Sequence, residues 1–413
     1  MSSNLIIGLT GRFGAGCTTT YNLLIEEYNF VGFSLSDFLR EIAKQDKNYS
    51  ELSDKNKRTY LQNLGDKLRK ENSKAFIAEQ VIKGIEKIDG KSCDIVIDSF
   101  KNPAEINAFR NNFPNFYLFA LDAETETRWN RTKIKYDRDR KVFDEDDERD
   151  KGTDDEPYEG QQVKACMRIA DILINSEKSF FTSDGKQNPK VIEEFGQKIK
   201  SCIDLIRKPG NRTPNLDELY MHQACSISLR SMCLKRQVGA VIVLDNSETG
   251  KGSYIISSGC NNVPHGEINC IELKGCFRDK EKNEIINKTN YCAFCGKEIL
   301  NKGNIKCSHC RKEIYLPKLF DICRAVHAEE EAILQAAKLG IPVNGTVLYT
   351  STHPCLLCSK EIINSGIKNI VYLESYPMIQ SIEMLSNCNI TTRKFEGVTS
   401  RMFNKLFLKE ISS

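Results

Sequence analysis

The residues best suited to chemistry in this 413-residue chain are one histidine, one glutamate and two cysteines. His327 and Glu329 are separated by a single residue, and Pro354 is followed by Cys355 and Cys358. One imidazole and two thiolates can bind zinc; a catalytic zinc site keeps its fourth position for water, whereas a structural site closes with four protein ligands. Zinc lowers the pKa of bound water from about 15.7 towards about 7. The pattern therefore predicts hydrolytic chemistry, with Glu329 as the proton shuttle.

Sequence periodicity places these residues at the starts of two helices. Residues 327–339 are predicted to form a helix, residues 345–351 a strand and residues 355–367 a second helix. His327 would then begin the first helix. Both cysteines would lie in the first turn of the second, where the amide dipoles favour thiolates.

Composition predicts a cytoplasmic protein of two or three domains. The net charge is only +3 with 28% charged residues, which argues against a global nucleic-acid-binding surface but leaves room for a local basic groove. Seventeen cysteines without a secretion signal indicate thiols and metal sites rather than a disulfide framework. No apolar run approaches the roughly 20 residues of a membrane span, so no membrane partner is expected.

The amino-terminal half contains a phosphate-binding loop (P-loop). Residues 5–9 are predicted to form a buried strand, and the loop that follows matches the pattern G-x-x-x-x-G-K-[ST] except at the lysine, where Cys17 stands. The backbone N–H groups of such a loop bind phosphate oxygens, and Thr18 is a candidate ligand for Mg²⁺ bound with a nucleotide. The residues predicted to bind nucleotide are Gly11, Gly14, Gly16, Cys17, Thr18 and Asp98.

Alternating strands and helices extend this loop into a doubly wound α/β domain over residues 1–207, which resembles the P-loop nucleotide kinases. The predicted strands include residues 92–98, 115–122 and 170–175. Because the lysine is missing, a regulatory or assembly domain that binds ATP or a dNTP as effector is preferred to an active kinase. Residues 137–159 are too polar to form a core and are expected to be either the lid of such a kinase or a solvated loop.

A linker and a second domain follow. The periodicity breaks at residues 208–216, which are therefore predicted to form the linker. Residues 217–413 are predicted to form the second domain. The expected order of elements is a helix, two strands, the first metal helix, a strand, the second metal helix, a strand, a helix and a strand. This order predicts an α/β/α layer with a mixed five-stranded sheet.

An inserted segment at about residues 267–317 contains two C-x-x-C pairs. Four thiolates close a tetrahedral zinc site and can fold a segment that is too polar to fold alone. A second, structural zinc ion is therefore predicted, with His309 as an alternative to one of the cysteines. The predicted ligands are Cys292, Cys295, Cys307 and Cys310.

Residues 237–243, the loop 259–266 with its G-x-N-x-x-P-x-G pattern, and the two metal motifs together resemble the deoxycytidylate deaminases of the cytidine-deaminase-like superfamily. The resemblance implies zinc-dependent conversion of dCMP or dCTP to the uracil nucleotide. It also implies that Asn261 contacts the sugar or phosphate and that Tyr376 stacks on the base. Further candidates for phosphate contact, with ordinary surface charge as the alternative, are Lys235, Arg236 and His265.

The combination of a P-loop domain without its lysine and a deaminase with a zinc insertion resembles the bacterial anti-phage dCTP/dCMP deaminases. That resemblance implies depletion of dCTP in defence against phage, a homo-oligomer and, as in some members, inhibition by a small RNA. One alternative is a housekeeping dCMP deaminase that supplies dUMP under the control of a nucleotide-sensing domain. The others are a tRNA or free-base deaminase and a nucleotide-sensing scaffold with a vestigial deaminase half.

Overall fold

The protein folds into two compact units. Unit 1 contains the residues up to Glu218 and those from Glu396 onward, and unit 2 contains Leu219–Phe395. The computed structural model describes residues 4–52, 54–87, 93–152, 160–178, 180, 188–246, 252–288, 291–292, 295–298, 307, 309–311, 323–375 and 378–408.

Unit 1 is built on a six-stranded sheet. Its strands are β1 (Ile6–Gly11), β2 (Val31–Ser34), β3 (Ile95–Asp98), β4 (Phe116–Asp122), β5 (Ile172–Asn175) and β11 (Gly397–Val398). The strand order is β11-β5-β4-β1-β3-β2, and β1 to β5 pair in parallel. The strands of a parallel sheet are buried on both faces, and all six residues of β1 are buried. The predicted α/β fold of the amino-terminal half is confirmed.

Helices connect these strands. They are α1 (Cys17–Tyr28), α2 (Leu35–Ala43), α3 (Lys47–Ser50), α4 (Asp54–Glu71), α5 (Phe76–Glu86), α6 (Pro103–Asn112), α7 (Thr125–Thr132), a 3₁₀ turn (Lys133–Tyr136), α8 (Arg140–Lys151), α9 (Val163–Arg168), α10 (Pro189–Arg207) and α16 (Phe403–Phe407). The helix α8 occupies much of the segment expected to be a lid or a solvated loop. Its residues Phe143, Asp147 and Asp150 are buried. The helix therefore has a face that packs against the protein, although its sequence is strongly charged.

The carboxyl-terminal residues return to unit 1. Val398 of β11 pairs with Ile172 of β5 in an antiparallel bridge, and Leu406 of α16 is fully buried in the core of this unit. This division differs from the predicted second domain at 217–413, because two residues of strand are enough to dock the chain end on the sheet edge. The predicted linker 208–216 also lies within unit 1.

Unit 2 contains a mixed five-stranded sheet, as predicted. Its strands are β6 (Gly239–Asn246), β7 (Gly252–Cys260), β8 (Val347–Thr352), β9 (Asn369–Glu374) and β10 (Thr391–Lys394). The order is β10-β9-β8-β6-β7, with β6 antiparallel to β7 and β8, and the other pairs parallel. Unit 2 begins within α11 (Leu216–Ser228). Its further helices are α12 (Phe277–Lys288), α13 (Ala328–Lys338), α14 (Leu356–Ser365) and α15 (Ile379–Asn387). In the described part of the chain, no helix combines the length and the apolar character needed to cross a membrane.

The helix α13 packs unusually close to the sheet. Its buried stripe consists of Ala328, Ala332 and Ala336, whose small side chains let the helix axis approach. On the facing strand β7, a Cβ atom at Gly259 would lie 2.5 Å from both the Ala328 carbonyl oxygen and the Ala332 amide nitrogen. A glycine is therefore required at this position, because no side chain fits between β7 and α13.

Candidate active site and metal centre

Three metal-ligand atoms converge where α13 and α14 begin. The His327 Nδ1 atom lies 3.2 Å from Cys358 Sγ and 3.3 Å from Cys355 Sγ, and the two sulfur atoms are 3.7 Å apart. Tetrahedral zinc with ordinary bond lengths requires about 3.6 Å between nitrogen and sulfur and about 3.8 Å between sulfurs. The three residues predicted to bind the catalytic zinc thus lie at a spacing that fits this ion.

Local hydrogen bonds fix both ligand-bearing segments. The Glu330 carboxylate accepts a hydrogen bond from the His327 backbone N–H at 3.3 Å, across the first turn of α13. Beside α14, Ser381 Oγ donates to the Pro354 carbonyl oxygen at 2.8 Å, and Ser359 Oγ donates to the Cys355 carbonyl oxygen at 2.9 Å. These bonds hold the helix starts in place, so the ligands do not depend on the metal alone for their positions.

Electrostatics within the triad favour one thiolate next to the imidazole. The hydrogen bond with Cys355 raises the pKa of His327 to about 9. Hydrogen bonds with Cys358 and His327 lower the pKa of Cys355 to about 4, whereas the hydrogen bond with Cys355 and burial raise that of Cys358. Zinc ligands must be deprotonated, so metal binding requires Cys358 and the imidazole to release their protons.

The side chain of Glu329 is buried beside the triad without belonging to it. Its exposed fraction is 4%, and its Oε2 atom lies 3.6 Å from Cys358 Sγ. The hydroxyl of Thr350 on β8 lies 3.1 Å from the other carboxylate oxygen, Oε1. Burial raises the pKa of the Glu329 carboxyl above its usual value. A carboxylate held in this way can exchange protons with a group bound at the metal position.

The loop that contains Asn261 is anchored next to the His327 segment. The Asn261 Oδ1 atom accepts a hydrogen bond from the Val238 backbone N–H at 2.7 Å, and Nδ2 donates to the Arg236 carbonyl oxygen at 2.8 Å. The next residue, Asn262, pairs with Val326 in an isolated β-bridge. The Asn261 amide therefore shapes the loop, and its contact with a sugar or phosphate stays a prediction.

The basic residues proposed to contact phosphate have acidic partners in the structure. Arg236 Nη2 lies 2.6 Å from Glu374 Oε2, and Lys235 Nζ lies 2.5 Å from Asp279 Oδ2. The side chain of His265 is exposed. Tyr376, predicted to stack on the base, lies outside the described residues. The phosphate contacts thus remain predictions. To bind phosphate, Lys235 or Arg236 would first have to release its carboxylate partner.

Comparison with known proteins identifies the family. Residues 214–374 match the model of the cytidine and deoxycytidylate deaminase zinc-binding region, and residues 10–149 match that of the AAA domain. The deoxycytidylate deaminase of Schizosaccharomyces pombe is 30% identical over 284 residues, which cover 68% of this chain and 70% of that protein. The chain belongs to the deoxycytidylate deaminase family. The aligned stretch is longer than unit 2, so the similarity to the fungal deaminase extends into unit 1.

Viral deaminases provide two further similarities. The deoxycytidylate deaminase of Enterobacteria phage T4 is 33% identical over 153 residues, which cover 36% of this chain and 73% of that protein. The solved dCMP deaminase of cyanophage S-TIM5, in complex with dCMP and dUMP, is 26% identical with a TM-score of 0.30. That alignment covers 45% of this chain and all of the viral one.

The deaminase unit contains a second cluster of possible metal ligands, formed by four cysteines. The Sγ atoms of Cys292 and Cys310 are 3.7 Å apart, as are those of Cys295 and Cys307. Both distances match the spacing of about 3.8 Å between sulfurs around tetrahedral zinc. Within the described residues, the cluster consists of these four cysteines and does not include His309. The donor set therefore fits a closed zinc site.

The P-loop of the deaminase connects β1 to α1. Gly14 and Gly16 adopt positive φ angles of 83° and 107°, which favour glycine and turn the backbone towards the helix start. Cys17 is the first residue of α1, and burial raises the pKa of its thiol well above the usual value. Asp98 ends β3 and accepts a hydrogen bond from the Ser99 N–H at 2.7 Å. The loop has the predicted form, while nucleotide binding by its residues stays a prediction.

Sequence reasoning missed three residues of the deaminase site. Thr350, which contacts Glu329, and Ser381, which holds the Pro354 carbonyl, carry no motif that could have marked them. The third, Glu361, follows Cys358 by three residues and so shares its face of α14. Burial, and next the charge of Glu330, raise the pKa of Glu361 to about 7. A helical-face analysis around the cysteines could have found this carboxyl group.

Proposed function

We propose that the protein catalyses hydrolytic deamination of a deoxycytidine nucleotide to the deoxyuridine nucleotide, with release of ammonia. The observation that carries the proposal is the arrangement of three zinc-ligand atoms beside the buried carboxylate of Glu329. Three protein ligands, rather than four, are typical of a catalytic zinc. Membership of the deoxycytidylate deaminase family supports dCMP as a substrate.

Glu329 carries the proton transfers in this proposal. His327, Cys355 and Cys358 would hold the zinc ion, which would supply a water molecule of lowered pKa for attack on C4 of cytosine. The Glu329 carboxylate would accept the first proton of that water and pass it to N3 of the base. It would then accept the proton of the hydroxyl group formed on C4 and pass it to the amino group, which leaves as ammonia as C4 becomes a carbonyl carbon. The Thr350 hydroxyl near Oε1 leaves Oε2, which lies on the Cys358 side, to carry the proton.

We also propose that dCTP is a substrate. The support for this is the resemblance of the two-unit arrangement to anti-phage deaminases, and it would make the protein a consumer of the dCTP that phage replication needs. The similar proteins of Schizosaccharomyces pombe and phage T4 are deoxycytidylate deaminases, which favours dCMP as the substrate, as in the housekeeping alternative. Homo-oligomerisation and inhibition by a small RNA belong to the same proposal and rest on the same resemblance.

A substrate panel tests these alternatives. Ammonia release and product mass should be measured with dCMP, dCTP, cytidine, cytosine and tRNA. We expect turnover of dCMP or dCTP and none of tRNA or cytosine. Turnover of dCTP supports the defensive role, whereas turnover of dCMP alone favours the housekeeping one. Zinc binding without turnover of any cytosine compound would leave the scaffold alternative and refute the proposed activity.

Two further ligands complete the proposal. The four-cysteine cluster is proposed to bind a structural zinc ion, and its support is the spacing of the sulfur atoms. The P-loop is proposed to bind ATP or a dNTP with Mg²⁺ as an effector, and its support is the glycine-rich turn before α1. Thr18 and Asp98 are proposed to lie next to the Mg²⁺ ion. Elemental analysis and nucleotide titration of the full chain test both.

A further inference from the structure

Cationic side chains from four different segments surround the P-loop of unit 1, and we call them the basic cluster. They are Arg12 of the loop, Arg58 of α4, Lys101 of the segment between β3 and α6, and Arg128 of α7. A usual P-loop provides one lysine for the phosphates, but Cys17 stands at that position here. The basic cluster therefore supplies positive charge that the loop itself lacks.

The basic cluster is in direct contact with the loop. Lys101 Nζ donates to the Gly11 carbonyl oxygen at 3.3 Å. Arg128 Nη1 donates to the Phe13 carbonyl oxygen at 3.3 Å, and the Arg58 guanidinium lies over the Phe13 ring, 4.1 Å from its centroid. These contacts place the basic cluster directly against the P-loop.

Two carboxylates of α8 neutralise the basic cluster. Asp147 accepts hydrogen bonds from Arg128 at 2.5 and 2.9 Å and forms an ion pair with Arg12. Asp150 Oδ2 lies 3.1 Å from Arg58 Nη2 and 3.3 Å from Lys101 Nζ. The two aspartates are three residues apart, on one face of the helix, and are 4% and 1% exposed. Each buried carboxylate therefore bridges two cations of the cluster.

This arrangement leaves one donor of the basic cluster unsatisfied. The Nε atom of Arg12 is buried and has no hydrogen-bond partner among the described residues, whereas that of Arg58 lies 3.3 Å from Asp146 Oδ2. Buried donors without an acceptor are rare in folded proteins. A chain of phosphate groups presents more acceptor oxygens than two carboxylates, and Arg favours such planar contacts.

We propose that the basic cluster is a polyphosphate-binding site, and that Asp147 and Asp150 compete with phosphate groups for its cations. This inference rests on the proposed nucleotide binding by the P-loop and names its cationic ligands. A triphosphate chain enters by exchanging with the two carboxylates, so binding releases α8 from the loop. Lys101 then serves in place of the lysine that Cys17 has replaced.

Removing one of these carboxylates should strengthen anion binding. Isothermal titration calorimetry on the full chain would compare sodium tripolyphosphate and MgATP for the wild type and Asp150→Asn. Since the carboxylate competes with phosphate, we expect the variant to bind both probes about tenfold more tightly. The matched control is Asp144→Asn on the same helix, where an exposed aspartate pairs with Arg140, and its affinity should equal that of the wild type.

A second substitution tests the role of Lys101. In the Asp150→Asn background, Lys101→Gln should abolish the gain in affinity, and melting temperatures establish that each variant is folded. Unchanged or weaker binding by folded Asp150→Asn refutes the exchange. If MgATP binds all variants equally, nucleotide binding stands and the basic cluster is not its site. If no variant binds either probe, both proposals fail.

Hydrogen exchange on the wild type provides a test that does not depend on a variant. Saturating tripolyphosphate should increase the exchange rates of the backbone amides of α8, because the helix loses its anchoring carboxylate contacts. Exchange rates that are unchanged or reduced in α8 contradict the proposed displacement.

Discussion

Replacing Gly259 by alanine should disable the metal centre without touching a ligand. The added Cβ would lie 2.5 Å from backbone atoms of Ala328 and Ala332, whereas ordinary contact begins near 3.4 Å. The helix α13 must therefore move by about 0.9 Å or β7 must distort, at an expected cost of about 1–3 kcal/mol for overpacking. His327 and Glu329 lie at the start of this helix, so both would be displaced relative to Cys355 and Cys358.

The effect on turnover should exceed the effect on stability. A displacement of about 1 Å can reduce catalysis by about 10²-fold, so we expect deamination by Gly259→Ala to fall by about that factor. Zinc affinity should fall as well, which competition with a chelator would measure. The matched control is Gly275→Ala in the same unit. Apart from its neighbours in the chain, a Cβ atom at Gly275 would meet no described atom within 4 Å, and the φ angle there is not positive, so activity should be unchanged.

The result for Gly259→Ala decides whether close packing of α13 positions the site. Wild-type turnover in a folded Gly259→Ala protein would refute this reasoning. Equal losses in Gly259→Ala and Gly275→Ala would show instead that alanine substitution in this unit is harmful in general, without a specific effect on the metal helix.

Three further substitutions give separable outcomes. Thr350→Val removes the hydroxyl near Glu329 and should lower kcat about tenfold, as expected for one lost hydrogen bond, with zinc content and KM unchanged; an unchanged kcat would contradict this role. Cys307→Ser should lower zinc content by one ion per chain while retaining the ion at the catalytic triad, and a full zinc content would argue against the four-cysteine site. Leu406→Ala should reduce the unfolding free energy of unit 1 by about 2–5 kcal/mol, measured by denaturant titration, and a loss below about 1 kcal/mol would contradict the burial of the chain end.

Patterns that are local in sequence predicted the most. The strand–loop–helix pattern at the P-loop and the two metal motifs could be recognised because each has a fixed spacing within one or two elements. The structure adds the distances that join His327 to Cys355 and Cys358, which no spacing could supply. The α/β fold of both units followed from the alternation of strands and helices and is confirmed.

Features that depend on tertiary pairing could not be predicted. The charge of residues 137–159 indicated a kinase lid or a solvated loop, yet Asp147 and Asp150 of α8 are buried, because cations from distant elements neutralise them. The return of Val398 and Leu406 to unit 1 depends on a short strand with little sequence signal. For the same reason, the contact of Thr350 with Glu329 became visible only in the structure.

The role of Glu329 beside a catalytic zinc is tested by measuring the deamination rate and the zinc content of Glu329→Gln. The amide keeps the shape of the buried side chain but cannot accept the water proton. We expect two zinc ions per chain, as in the wild type, and a rate of dCMP or dCTP deamination lower by at least about 10²–10⁴-fold. Near-normal turnover in this variant, or a wild-type protein whose only zinc is bound by the four cysteines, would contradict this role.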